Sequence, residues 1–170
     1  MWCFVTFRLA DSLPRAVVDE IRHQREEWRR THDLKELSRE ERAEFHRRLS
    51  ERYENLLHAG SGSCVLRDPV NGDVVCGALR YFAGVRYLLD EFVVMPNHVH
   101  VLVKPLPGHG PAEILHSWKS HTANQLNWRL GRTGQLWQHE SFDHLVRNDA
   151  AMEAIRRYIR ENPQRAGMRK

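Results

Sequence analysis

The stretch Tyr87-Leu88-Leu89-Asp90-Glu91-Phe92-Val93-Val94-Met95-Pro96-Asn97-His98-Val99-His100-Val101-Leu102-Val103-Lys104 decides the fold. Two β-branched and aromatic runs, Tyr87–Met95 and His98–Lys104, flank the tight turn Pro96-Asn97, which predicts an antiparallel hairpin in the middle of a sheet. Side chains alternate along a strand, so His98 and His100 project from one face, about 7 Å apart at their α-carbons, while Val99 points into the core. Two imidazoles so placed can converge on one divalent cation. A His-x-His pair alone is a weak signal in a chain with 11 histidines. Its position at the start of an apolar strand, where apolar groups would otherwise be buried, strengthens it.

Upstream of the hairpin, Trp2–Leu9 alternates like a strand, and Asp11-Ser12-Leu13-Pro14 opens a helix from Arg15 to about Arg30. Thr31-His32-Asp33 breaks that pattern. Ser38 and Glu41 form a capping box for a second helix reaching about His58, followed by the flexible turn Ala59–Ser63. Dense charge pairs at three- and four-residue spacing suit an exposed helical hairpin, an insertion over about 14–58 that reads as a solvated scaffold. Asn71-Gly72 could turn a hairpin, but apolar spacing from Val70 to Phe82 continues past the glycine, so a helix capped by Asp68-Pro69 is preferred. Downstream, Pro111–Leu130 reads as a helix and Leu136–Val146 as a short, extended stretch. Asp149 caps a last helix over about Ala150–Glu161, stopped by Asn162-Pro163.

These elements suit one domain spanning all 170 residues. Apolar residues make up 41% and charged residues 28%, which excludes a wholly disordered chain. No apolar run approaches the ~20 residues of a membrane span, and the N-terminus lacks a secretion signal, so the cytoplasm is the expected location. Cys3, Cys64 and Cys76 are too scattered for a disulfide framework. The net charge of +4 is uneven: residues 1–103 carry 15 basic and 16 acidic groups, and residues 104–170 carry 11 and 6. Of the 26 cations, 22 are arginine, the better partner for phosphates and bases, so the basic C-terminal third hints at nucleic acid.

The second chemical signal is Tyr158-Ile159-Arg160-Glu161-Asn162-Pro163. At helical spacing, Tyr158 and Asn162 share a face, bringing together a possible nucleophile and a possible amide-oxygen ligand. Met95–Leu102 and Tyr158–Gly167, in this order, closely resemble the REP-associated tyrosine transposases. These are insertion-sequence transposase-like proteins of the HUH, single-tyrosine class. Leu115–Ser120, Leu136-Trp137-Gln138, Phe142-Asp143-His144 and Arg147 are also similar to the family, as is the first strand. The insertion is not, and nothing is transferred to it.

The resemblance implies an α+β, ferredoxin-like sandwich with a central antiparallel sheet. It implies that His98, His100 and Asn162 hold Mg²⁺ or Mn²⁺ and that Tyr158 is the nucleophile. It further implies a single-stranded DNA endonuclease and strand transferase, working through a 5′-phosphotyrosine beside REP-type DNA hairpins, as a monomer or homodimer at the nucleoid. Lys119, Arg147, Arg156, Arg157, Arg160 and Arg165 are candidates to grip phosphates, and Trp118 or Trp137 to stack on unpaired bases, against the commoner role of each Trp as a core residue. His139, His144 and Glu161 are conceivable proton acceptors for Tyr158. The alternative function is a domesticated hairpin-binding protein without catalysis.

Overall fold

A computed structural model of the chain describes residues 1–31 and 52–167. Four strands form one antiparallel sheet: β1 (Cys3–Arg8), β2 (Tyr87–Val94), β3 (His98–Pro105) and β4 (Phe142–Leu145). Their order is β2-β3-β1-β4. With helices between β1 and β2 and between β3 and β4, this is the ferredoxin-like α+β arrangement. The helices are α1 (Arg15–Thr31), α2 (52–58), α3 (Pro69–Tyr81), α4 (Pro111–Arg129) and α5 (Asp149–Arg165).

Strand alternation divides the sheet's side chains into two sets. Cys3, Val5 and Phe7 of β1 and Val99, Val101 and Val103 of β3 face α3 and α4, where they join Val75, Leu79, Ile114, Trp118 and Trp137. Phe4 of β1 and Leu102 of β3 face the other way and pack with Met152 and Ile159 of α5. The β1–β3 register pairs Thr6 with His100 and Arg8 with His98, so the second face is polar at one end.

The sequence expectations hold for β1, α1, α3 and α4 to within a residue or two at each end. Asp68 caps α3 as expected, accepting from the Val70 amide at 2.9 Å. Three details differ. The hairpin is not wholly central: β3 is interior, but β2 is an edge strand, with a register shift between Leu89 and Phe92. The cap of α5 is Asn148, whose side chain accepts from the Ala151 amide at 2.8 Å. Nor does α5 stop at Asn162-Pro163; it runs to Arg165 with Pro163 inside it. A proline removes one donor, and here the next turn still closes through the Ala166 amide on the Asn162 carbonyl at 3.1 Å. The capping box at Ser38–Glu41 and most of the second helix lie outside the described residues.

Two devices fix α2 against the sheet. Asn97, in the β2–β3 turn, donates from Nδ2 to the carbonyls of Leu57 and Ser61, both at 3.2 Å. Just beyond, Asp11 accepts from the Ser63 amide at 2.8 Å, and the chain passes so close that a Cβ on Gly62 would lie 2.3 Å from the Asp11 carbonyl oxygen. Gly62 also has φ +88°, a conformation other residues rarely adopt.

Candidate active site

His98 and His100 are completely buried, with ring centroids 4.7 Å apart. Asn97 spends its Nδ2 on carbonyls, so its Oδ1 is the acceptor for His98 Nδ1 at 2.7 Å. That puts the proton on Nδ1 and leaves Nε2 as a bare lone pair. This Nε2 is buried without a hydrogen-bond partner among the described residues. Burial, then the neighbouring His100 and His58, push His98 well below the ordinary histidine pKa and keep it neutral. His100 is oriented in a similar way from its Nδ1, 2.7 Å from Thr6 Oγ1 on β1.

The last helix brings Tyr158 to this pair. Its hydroxyl lies 3.4 Å from His100 Nε2, and its ring meets Phe4 edge-on at 5.9 Å. The helix is held across β2 by two ion pairs. Arg156 donates to both oxygens of Asp90, at 3.0 and 2.6 Å, and Arg160 reaches Glu91 at 2.8 Å.

The insertion supplies the remaining groups. Glu54 of α2 accepts the Tyr158 O–H at 2.7 Å, and the same Oε2 lies 3.3 Å from His100 Nε2. One turn on, His58 Nε2 is 3.2 Å from Asn162 Oδ1. Glu54/His58 on α2 and Tyr158/Asn162 on α5 are thus two four-residue pairs facing each other. Burial raises the Glu54 carboxyl, but hydrogen bonds and charge from His100 and the Tyr158 hydroxyl outweigh it and hold the group below its usual value. Burial, then the Glu54 charge and its hydrogen bond, push the Tyr158 phenol far above its ordinary value. A cavity of about 260 Å³ opens beside the cluster, lined in part by His58, Asn97, His98 and Gly167.

Donor atoms of Glu54, His98 and His100 all lie within 4.8 Å of one another, and His98 Nε2 has no hydrogen-bond partner among the described residues. Two imidazole nitrogens and a carboxylate oxygen fit a divalent cation. The carboxylate in this group is Glu54, and the Oδ1 of Asn162, the expected third ligand, lies 3.2 Å from His58 Nε2.

The other expected residues are dispersed. Trp118 is buried, and its Nε1 donates to the Tyr87 hydroxyl at 2.9 Å, so it belongs to the core and not to a stacking platform. Lys119 staples α4 to the backbone carbonyls of Gln138 and His139, at 2.9 and 3.2 Å. Arg156 and Arg160 are engaged with β2, and Arg165 bonds Glu161 while sitting 5.6 Å from the Tyr158 ring centroid. Arg147 and Arg157 are exposed. Glu161 is turned to Arg165, and His144 packs edge-on against Phe4.

Residues 80–162 match the family model described as "Transposase IS200 like". The match covers just under half of the chain. It includes β2, β3, both histidines, Tyr158 and Asn162, and it leaves out α2 with Glu54 and His58. A solved REP-associated tyrosine transposase, bound to a REP hairpin, is similar over 98% of this chain and 68% of its own, with a TM-score of 0.51 and 13% identity. At that identity the likeness concerns the fold. An uncharacterized protein of Haemophilus influenzae is 26% identical over 104 residues, 49% of this chain and 57% of that relative. The match therefore spans little more than half of the relative's length. Among the described residues, no helix is long and apolar enough to cross a membrane.

Proposed function

We propose that the protein is a metal-dependent single-stranded DNA endonuclease and strand transferase with Tyr158 as nucleophile. The observation that carries this reading is the Tyr158 hydroxyl 3.4 Å from His100 Nε2, in a buried cluster with the unpartnered His98 Nε2. His98 and His100, with Glu54 or Asn162, would hold Mg²⁺ or Mn²⁺. The ion, when bound, supplies charge to offset a phosphodiester and orient its phosphorus.

The chain's own groups do the rest. The phenol oxygen of Tyr158 attacks phosphorus in line, the bond to the 3′-oxygen breaks, and the strand is left as a 5′-phosphotyrosine. One ester replaces another of similar energy, so rejoining needs no ATP. The histidines, locked from behind by Asn97 and Thr6, keep their Nε2 atoms on the reaction side. Exposed Arg147 and Arg157 would meet phosphates, giving salt-sensitive binding. The REP hairpin held by the structurally similar transposase supports a hairpin-flanked single strand as substrate.

Labelled single-stranded DNA beside hairpins, incubated with Mn²⁺ and run on a denaturing gel, tests the proposal. A covalent adduct is expected with the wild-type chain. Tyr158→Phe is expected to abolish the adduct and keep binding. Salt-sensitive hairpin binding by the wild-type chain with no adduct on any hairpin would leave a binding protein and remove the nuclease.

A further inference from the structure

The Tyr158 hydroxyl must lose its proton to become an ester oxygen. The group that accepts its hydrogen bond, at 2.7 Å, is Glu54 Oε2, on a helix outside the segment that matches the family model. Glu54 is not a chance surface neighbour. Its side chain is only 17% exposed, and α2 is pinned on both sides of the contact. Leu57 is buried and its carbonyl is held by Asn97, while Arg52 bonds Glu20 of α1 at 2.9 Å. The carboxylate is therefore delivered to the phenol by a built element.

We infer that Glu54 is a catalytic residue, the general base that takes the proton of Tyr158 as the phosphotyrosine bond forms. The inference rests on the nuclease reading above and gives the inserted helix a chemical role in it. A phenolate standing beside a carboxylate is disfavoured by like charge, so the proton moves to Glu54 as the phenol oxygen closes on phosphorus. The electron pair of the breaking P–O bond leaves on the 3′-oxygen, which takes a proton from water, and Glu54 later gives up its own to solvent. In rejoining, a 3′-hydroxyl attacks the phosphotyrosine and gives its proton to water, the bond from phosphorus to the phenol oxygen breaks, and Glu54, protonated again from solvent, returns a proton to the departing phenol. His58, one turn along the same helix, holds the Asn162 amide at 3.2 Å and keeps the two helices in register.

The test is single-turnover adduct formation at saturating Mn²⁺, alongside a direct Mn²⁺ titration of the same chains. Glu54→Gln keeps the size of the side chain and can still accept the hydrogen bond, but it cannot take the proton. It is expected to slow the adduct by about 10²–10⁴-fold. The change also removes a carboxylate from the candidate metal group, so Mn²⁺ affinity is expected to fall, and the rate loss should persist once Mn²⁺ is saturating. Replacing Tyr158 with 3,5-difluorotyrosine, a more acidic phenol, should shrink that penalty, which a purely structural role of Glu54 would not do. An adduct rate in Glu54→Gln equal to wild type overturns the inference while leaving the nuclease reading intact. So does full recovery of the rate with excess Mn²⁺, which would make Glu54 only a ligand. Absence of adduct from the wild-type chain removes the nuclease reading itself. Should the glutamine chain not fold, Glu54→Asp, with its carboxylate drawn back, is expected to slow the reaction. An unchanged rate there overturns the inference equally.

Discussion

The two faces of the sheet are made by the same two strands and behave in opposite ways. Toward α3 and α4, β1 and β3 present Cys3, Val5, Phe7, Val99, Val101 and Val103 against an apolar layer. Toward α5 and α2 they present Thr6, Arg8, His98 and His100, all buried to within a few per cent of full burial. Burying apolar groups stabilises at about 25 cal/mol per Å². Burying imidazoles and a guanidinium costs free energy unless every polar atom is paired, and His98 Nε2 has no partner among the described residues. The first face holds the chain together along its length, and the second, apolar where Phe4 and Leu102 meet α5, spends stability at its polar end on placing groups.

The largest effect that separates the faces is expected at Phe7. Its ring meets Trp137 at 4.8 Å and Trp118 at 6.4 Å and is 1% exposed. Phe7→Ala should lower unfolding free energy by about 3–5 kcal/mol, read from urea denaturation. A loss under 1 kcal/mol would mean that the apolar face is not the stabilising one.

On the polar face the expected loss is of binding. Asn97 orients His98 and ties α2 to the hairpin turn with one side chain. Asn97→Ala should weaken Mn²⁺ binding by about 10–100-fold, as removal of an outer-shell partner commonly does. The check is a Mn²⁺ titration at fixed pH. Unchanged affinity would show that His98 holds its orientation without the amide.

The same contrast explains what the sequence made legible. The apolar face follows from alternation in Tyr87–Lys104 and Trp2–Leu9, a pattern that depends only on neighbouring residues. His98 and His100 interrupt it and so stand out. Tyr158 and Asn162 are visible as a four-residue pair before a proline. Glu54 and His58 form such a pair too, but among Glu51, Arg52 and His46 they look like one more charge pair on an exposed helix. Their selection depends on Asn97, 40 residues beyond Leu57, gripping the end of their helix. Trp118 was equally ambiguous. Its role depended on whether the indole N–H met a partner in the core, and Tyr87 is that partner. The persistence of α5 beyond Asn162 was hidden because a proline signals an end locally, while the fully buried Asn162 is held by His58 from another helix.

The smallest expected effect concerns how α5 is attached. Asp90 sits in the irregular part of β2, where the register shifts between Leu89 and Phe92, and it receives both prongs of Arg156. The Arg156 hydrogen bonds hold the Asp90 carboxyl below its usual pKa, against a smaller opposing effect of burial. A depressed folded-state pKa means that the unfolded chain binds the proton more readily. The pair's contribution is therefore fully present above the ordinary aspartate pKa of about 3.9 and is lost as pH falls through the lower folded value. Arg156 is 33% exposed, so solvent screening keeps the contribution small. Asp90→Asn should destabilise slightly at pH 7, and the difference from wild type should close as pH falls past the ordinary aspartate pKa and through the lower folded value, read from thermal melts across that range. Because Arg156 and Tyr158 share α5, the same change should slow adduct formation only modestly. A loss comparable to Tyr158→Phe would mean that the clamp on β2, and not the cluster around His100, sets where the phenol stands.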